Sequence, residues 1–178
     1  MLRKEAQEEE ELTSDFCRRH DIPFFRKKFD TENFAKENKC SVQMAARELR
    51  YQWFEELLAK ENCCKIATAH NLNDGIETLL MNIVHAQGWE GMSGIKASRG
   101  NRIRPLLFAS RKEIAEYALE NKIPWKEDAS NASLKYERNY VRHKIIPELK
   151  QLNPSLEKTF ADFQYKINSA SYFLRYGI

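Results

Sequence analysis

Apolar residues recur at helical spacing in three stretches of the chain, separated by short apolar runs and polar breaks. Ser41 is a good N-cap for a helix carrying Met44, Ala45, Leu49, Trp53, Phe54, Leu57 and Leu58 on one side. Leu72, Ile76, Leu79, Leu80 and Ile83 keep helix period across residues 70–87, and Leu156, Phe160, Phe163, Ile167, Ala170 and Leu174 keep it near the end. Residues 5–20 read as a highly charged helix. Two short runs read as strands: residues 22–29, with Pro23 at the entry where a missing N–H is tolerated, and residues 64–69. Residues 30–39 are polar and read as a loop. The resulting alternation predicts an α/β class, with a partial parallel sheet and crossover helices over residues 1–94.

Beyond residue 94 the pattern loosens, and residues 95–178 are expected to form a second, mainly helical part. Trp89–Ile95 is turn-rich, and Ser98-Arg99-Gly100-Asn101 predicts a tight turn. Ser110 and Glu113 have the spacing of a capping box opening a helix. A helix from about Glu137 to Lys150 is interrupted at Pro147. Asn153-Pro154 then caps and starts the last helix.

The junction at residues 69–78, Ala-His-Asn-Leu-Asn-Asp-Gly-Ile-Glu-Thr, changes this picture from fold to chemistry. At about 100° per residue, His70, Asp74 and Glu77 lie within about 60° of one another, opposite the apolar set. A strand thus delivers a His-Asp-Glu stripe at the start of a helix, and strand C-termini are where open α/β sheets bind ligands. Carboxylates one helical turn apart can pair an ammonium group or hold Mg²⁺. The competing reading is a solvated helix face with a capping histidine.

Charge adds a partner class. The net charge is +3, yet between Lys96 and Lys112 stand six cations (Lys96, Arg99, Arg102, Arg104, Arg111, Lys112) and no acid. Lys135, Arg138, Arg142, His143 and Lys144 form a second concentration. Such clusters attract phosphate backbones. At 178 residues, 42% of them hydrophobic, the chain can bury one good core or one domain with a small appendage. No apolar run approaches the ~20 residues of a membrane span. Met1-Leu2-Arg3-Lys4 leads into Glu8–Glu11 and not into a secretory signal. Cys17, Cys40, Cys63 and Cys64 include no Cys-x-x-Cys pair and read as reduced thiols, so a cytoplasmic location is expected.

Five segments occur in a telling order. They are Ala45-Ala46-Arg47-Glu48-Leu49-Arg50-Tyr51, the 69–78 junction, Ile103-Arg104-Pro105-Leu106-Leu107, Asp128-Ala129-Ser130-Asn131, and Tyr136-Glu137-Arg138-Asn139-Tyr140-Val141-Arg142-His143. In this order the chain resembles the tRNA(Ile)-lysidine synthetases, ATP-dependent RNA-modifying enzymes of the N-type ATP-pyrophosphatase superfamily, from about Leu2 to about Phe163. The resemblance implies an adenine nucleotide alpha hydrolase-like fold. It also implies ligation of free lysine to C2 of a wobble cytidine in tRNA, with ATP and Mg²⁺ as cofactors. By the same resemblance Arg47, Asp74, Glu77 and Arg138 are catalytic. Asp74 and Glu77 would contact lysine or metal, and His70 and Arg138 the nucleotide. Asn139 and Arg142 complete the family's Arg-Asn-x-x-Arg segment on the substrate side. Arg50, one helical turn from Arg47, ranks below it.

The chain departs from the family pattern in three places. Asn73-Asp74 stands where most members carry two aspartates, and His85-Ala86-Gln87-Gly88 where they carry Arg-Gly-x-Gly. No Ser-Gly-Gly-x-Asp-Ser phosphate loop is present among the residues. The expectation is therefore a fragment of a synthetase that is inactive alone, whose exposed sheet edge favours a homodimer. The alternatives are a non-catalytic RNA-binding remnant and an ATP-dependent tRNA-thiolating enzyme.

Overall fold

The computed structural model describes residues 2–126 and 137–176. The chain divides into two compact units, Met1–Ile66 and Ala67–Ile178.

The first unit is built of α1 (Leu2–Arg19), α2 (Thr31–Glu37) and α3 (Val42–Lys60). The Ser41 hydroxyl accepts from the Met44 N–H at 3.2 Å and opens α3 as expected. The predicted strand over 22–29 does not form. The segment has no regular secondary structure and belongs to no sheet among the described residues, so it is not the parallel partner of the 64–69 run. Side chains hold it instead of a backbone ladder. Arg26 pairs with Glu10, Lys27 Nζ lies 2.7 Å from Glu56 Oε2, and Phe29 meets Trp53 edge-on at 6.1 Å. A short apolar run specifies extension, but only an available edge makes a strand of it. The polar 30–39 segment, read as a loop, contains α2. Asp30 caps it by accepting the Asn33 N–H, and its one buried residue, Ala35, is too little for an apolar pattern to register.

The second unit positions the site. β1 (Ile66–Ala67), much shorter than the expected 64–69 strand, joins the units. A three-stranded sheet has the order β1-β3-β2, with β2 (Ser98–Arg99) and β3 (Arg102–Ile103) antiparallel in the register Ser98↔Ile103 and Arg99↔Arg102. The two-residue turn between them rests on Gly100, whose φ of +62° suits a hairpin with glycine at its first central position. The Thr68 N–H donates to the Ile103 carbonyl at 3.0 Å, continuing the β1 side of the sheet.

Among the described residues five further helical segments follow the first strand. These are α4 (Leu72–Val84), the short α5 (Gly88–Met92) in the turn-rich stretch, α6 (Arg111–Glu120), a composite helix, and α9 (Leu156–Tyr176). The composite is α7 (Glu137–Tyr140), a π turn (Val141–Ile145) and α8 (Ile146–Leu152). Pro147 lies at the start of α8 and has no N–H for the carbonyl one α-turn back. The Ile146 N–H reaches instead to the Val141 carbonyl, so the helix widens by one residue before the proline. At α6 the expected capping box forms. The Glu113 carboxylate takes the Ser110 hydroxyl and N–H at 2.7 Å each, and these bonds hold its pKa below the usual value.

The core is Leu72, Ile76 and Leu79 of α4, Val141 and Ile146 of the composite helix, and Phe160 of α9. Ile83, counted in the apolar stripe, is exposed. At Gly75, α4 packs on α9 closely enough that a Cβ there would meet the Phe160 ring at 3.4 Å, an ordinary van der Waals contact. Among the described residues no helix is long and apolar enough to cross a membrane.

Candidate functional site

Helix α4 begins at Leu72, two residues later than expected, because Asn71 and not His70 is its cap. The Asn71 side chain accepts from the Asp74 N–H (3.1 Å) and the Asp74 Oδ2 accepts from the Asn71 N–H (2.9 Å). The Leu72 N–H donates to the Ala109 carbonyl, tying the junction to the segment before α6. His70 therefore stands ahead of the helix, half-buried, with Nδ1 2.9 Å from the Thr68 hydroxyl.

Asp74 and Glu77 do not lie on a solvated face. The Glu77 side chain is 0% exposed and that of Asp74 15%. Two arginines one turn apart on the composite helix face them. Arg142 Nε lies 2.6 Å from Glu77 Oε1 and its Nη2 2.9 Å from Oε2, a fork on a carboxylate. Arg142 Nη2 is also 3.7 Å from Asp74 Oδ1. The hydrogen bond to Glu77 raises the pKa of Arg142; burial opposes this, and the charges of Glu77 and Asp74 add to it. Arg138 donates from Nη2 to the Thr78 hydroxyl at 3.2 Å, with Nε 4.0 Å from Glu77 Oε2. Its side chain is 43% exposed, so part of the guanidinium fork faces outward.

Sequence reasoning counted Arg111 only as part of a basic run, yet it joins the site. Its Nη2 lies 3.9 Å from Asp74 Oδ1, and its N–H donates to Asn73 Oδ1 at 2.8 Å. The usable signal was its place in the acid-free 96–112 stretch, directly after the Ser110 cap. Thr78 was missed as well, because a threonine after an acid on a helix has no distinctive spacing.

The other expected residues are placed as follows. Asn139 is half-buried on α7 between the two arginines. Arg47 belongs to the first unit, exposed on α3 with its guanidinium 5.0 Å from the Tyr51 ring centroid, and Arg50 is exposed on the same helix. Asp128, Ser130 and Asn131 lie outside the described residues. His85 does make a cross-helix contact, its Nε2 2.9 Å from Glu137 Oε1 at the start of α7.

The carboxylates do not fit direct ligation of a divalent cation. Arg142 occupies both Glu77 oxygens, and Asp74 divides its own between a backbone N–H and two arginines. Among the described residues no three His, Cys, Asp or Glu side chains gather as a metal site. The arrangement can instead hold anions at Arg138 and Arg111, with Asp74 beside them to receive a cation.

A strand-to-helix junction bearing acids, faced by a helix bearing arginines, marks an α/β protein with a charged candidate site. The chain belongs to the PP-loop domain family, whose model matches residues 1–149. It is 46% identical over 162 residues to the tRNA(Ile)-lysidine synthase of Thermosipho africanus, a match covering 91% of this chain and 38% of that protein. It is 42% identical over 155 residues to the tRNA(Ile)-lysidine synthase of Porphyromonas gingivalis strain W83, covering 86% of this chain and 34% of that protein. With that of Thermotoga maritima it shares 34% identity over 174 residues, covering 98% and 41%. The chain thus spans well under half the length of these relatives.

Proposed function

We propose that this chain is the PP-loop part of a tRNA(Ile)-lysidine synthetase, and that its second unit carries residues of the ligation site. The observation that supports this best is the convergence of Asp74 and Glu77 with Arg138, Arg142 and Arg111. In this reading the C2 oxygen of a tRNA cytidine attacks the α-phosphate of ATP, releasing pyrophosphate, and the amine of lysine then attacks C2, loses a proton and displaces AMP.

Each side chain has a part set by its surroundings. Arg138 and Arg111, each partly exposed, bind the anionic phosphates and stabilise charge that develops on them. Asp74, at the rim, draws the lysine ammonium by charge. Glu77 keeps Arg142 charged and fixed and steadies Arg138 at longer range, so that both arginines are oriented before substrate arrives. Asn139 and His70 are the remaining contacts to tRNA and nucleotide. Mg²⁺ accompanying ATP would offset phosphate charge, and the Asp74–Glu77 pair, already engaged by Arg142 and Arg111, would not be what holds it. A nucleotide-binding part over 1–94 and a mainly helical part over 95–178 belong to the same reading.

The test is ATP-dependent transfer of labelled lysine to tRNA(Ile) carrying a wobble cytidine. It is run with the chain alone and with the chain joined to a relative's phosphate-loop segment. Label in RNA that requires ATP and disappears with Asp74→Ala is the expected result in the joined protein. No transfer there, with folding intact, would overturn the reading.

A further inference from the structure

Asn73 sits where three helices meet. Its Oδ1 accepts the Arg111 N–H at 2.8 Å, and its Nδ2 lies 3.4 Å from Glu157 Oε1 at the start of α9. The Arg111 N–H is the first of α6, one of the donors that a helix leaves without an internal partner. The Ser110 hydroxyl is already committed to the Glu113 N–H, so the first donor of α6 is met from α4. Glu157 is in turn paired with Lys150 at the end of α8.

We infer that Asn73 is a positioning residue that registers α6, and with it the Arg111 side chain, against Asp74, and that position 73 of this chain requires an amide. The reason is the mismatch between its two neighbours. One is a donor, the backbone N–H, and the other an acceptor, the Glu157 carboxylate. An amide presents oxygen to the first and N–H to the second. An aspartate keeps the first bond and sets a second carboxylate against Glu157, where like charges repel and one must take up a proton. A leucine of similar size keeps neither bond. The departure from the paired aspartates of the family is thus matched by Glu157 across the helix junction. The joint stands on its own geometry, and only the role of Arg111 in ligand binding rests on the proposed function.

The experiment compares the unmodified chain with N73D, N73L, E157Q and N73D/E157Q by urea unfolding between pH 4 and pH 8, together with hydrogen exchange at the Arg111 amide. N73D should lower the folding constant at pH 7.5 by on the order of tenfold, the scale of one lost hydrogen bond to a charged group. The deficit should shrink as pH falls into the carboxylate range. In the E157Q background N73D should cost far less than it does in the unmodified chain, because the amide that E157Q introduces can donate to the carboxylate placed opposite. In N73L the Arg111 amide should exchange roughly tenfold faster or more, while in N73D/E157Q it stays protected. N73D as stable as the unmodified chain at pH 7.5, or no rescue by E157Q, would overturn the inference. Lysine transfer is absent from these readouts, so the joint can hold where the proposed activity fails, and the reverse.

Discussion

Arg142 grips Glu77 with both prongs of its guanidinium, at 2.6 and 2.9 Å, and the carboxylate it holds is fully buried. This pair joins α4 to the composite helix, two of the elements that carry charged residues of the site. Burying two charges costs solvation that the pair recovers only while it stays intact. Glu77→Ala would strand the Arg142 charge inside the protein. It should cost about 3–5 kcal/mol of stability, the range for breaking a buried pair from one side. Urea unfolding measures this, and a loss below about 1 kcal/mol would show that water reaches Arg142 freely.

Arg138 and Arg142 should separate function from stability. Arg138→Ala removes a half-exposed side chain with one hydrogen bond to Thr78, so its stability cost should stay near ~1 kcal/mol. Its loss should nonetheless slow adenylation in the joined protein, by a factor on the order of 10² if it stabilises charge in the transition state. Arg142→Ala should fail first by unfolding, since it leaves the Glu77 carboxylate buried and unpaired. Equal stability losses for the two variants would contradict the division of roles.

Glu157 supplies an acid-side signature. Burial raises its pKa, but hydrogen bonds from Lys150, its own N–H and Asn73, with the Lys150 charge, together hold it below the usual value of 4.5. A depressed carboxylate pKa stabilises the fold above its unfolded value, and that stability is lost as pH falls through the folded value. The melting-temperature gap between the unmodified chain and Glu157→Gln should therefore be open at pH 7 and close below about pH 4.5. A gap that widens on acidification would refute the assignment of the pairing.

Two small residues should respond in opposite directions. Ala86 ends α4 with φ +49°, in the left-handed region, at the position where the resemblance leads one to expect glycine. Ala86→Gly should raise stability by about 1 kcal/mol by removing that strain. Gly94 has φ +59°, and a Cβ there would come within 2.6 Å of the buried Gln164 Nε2, which bonds the Ser93 and Ile95 carbonyls. Gly94→Ala should lose about 2 kcal/mol or more, from strain plus those bonds. Thermal melts of both variants decide the matter, and the same sign for the two would count against it.

Local rules alone determined much of this protein. The Ser41 cap, the Ser110–Glu113 box, the Gly100 turn, the interruption before Pro147 and the Asp74–Glu77 stripe each depend on neighbours a few residues away, and chain geometry fixes those in advance. The five ordered segments likewise carried the family, because motif order survives in one dimension. Tertiary structure decided what the local pattern could not express. Whether residues 22–29 became a strand depended on an edge to pair with, and side chains of α1 and α3 took the segment instead. Whether Glu77 faced water or Arg142, 65 residues away in sequence, depended on where the composite helix docked. Arg111 and Asn73 entered the picture for the same reason. A side chain's own spacing records which helix face it occupies, but only packing brings a charge from elsewhere to meet it.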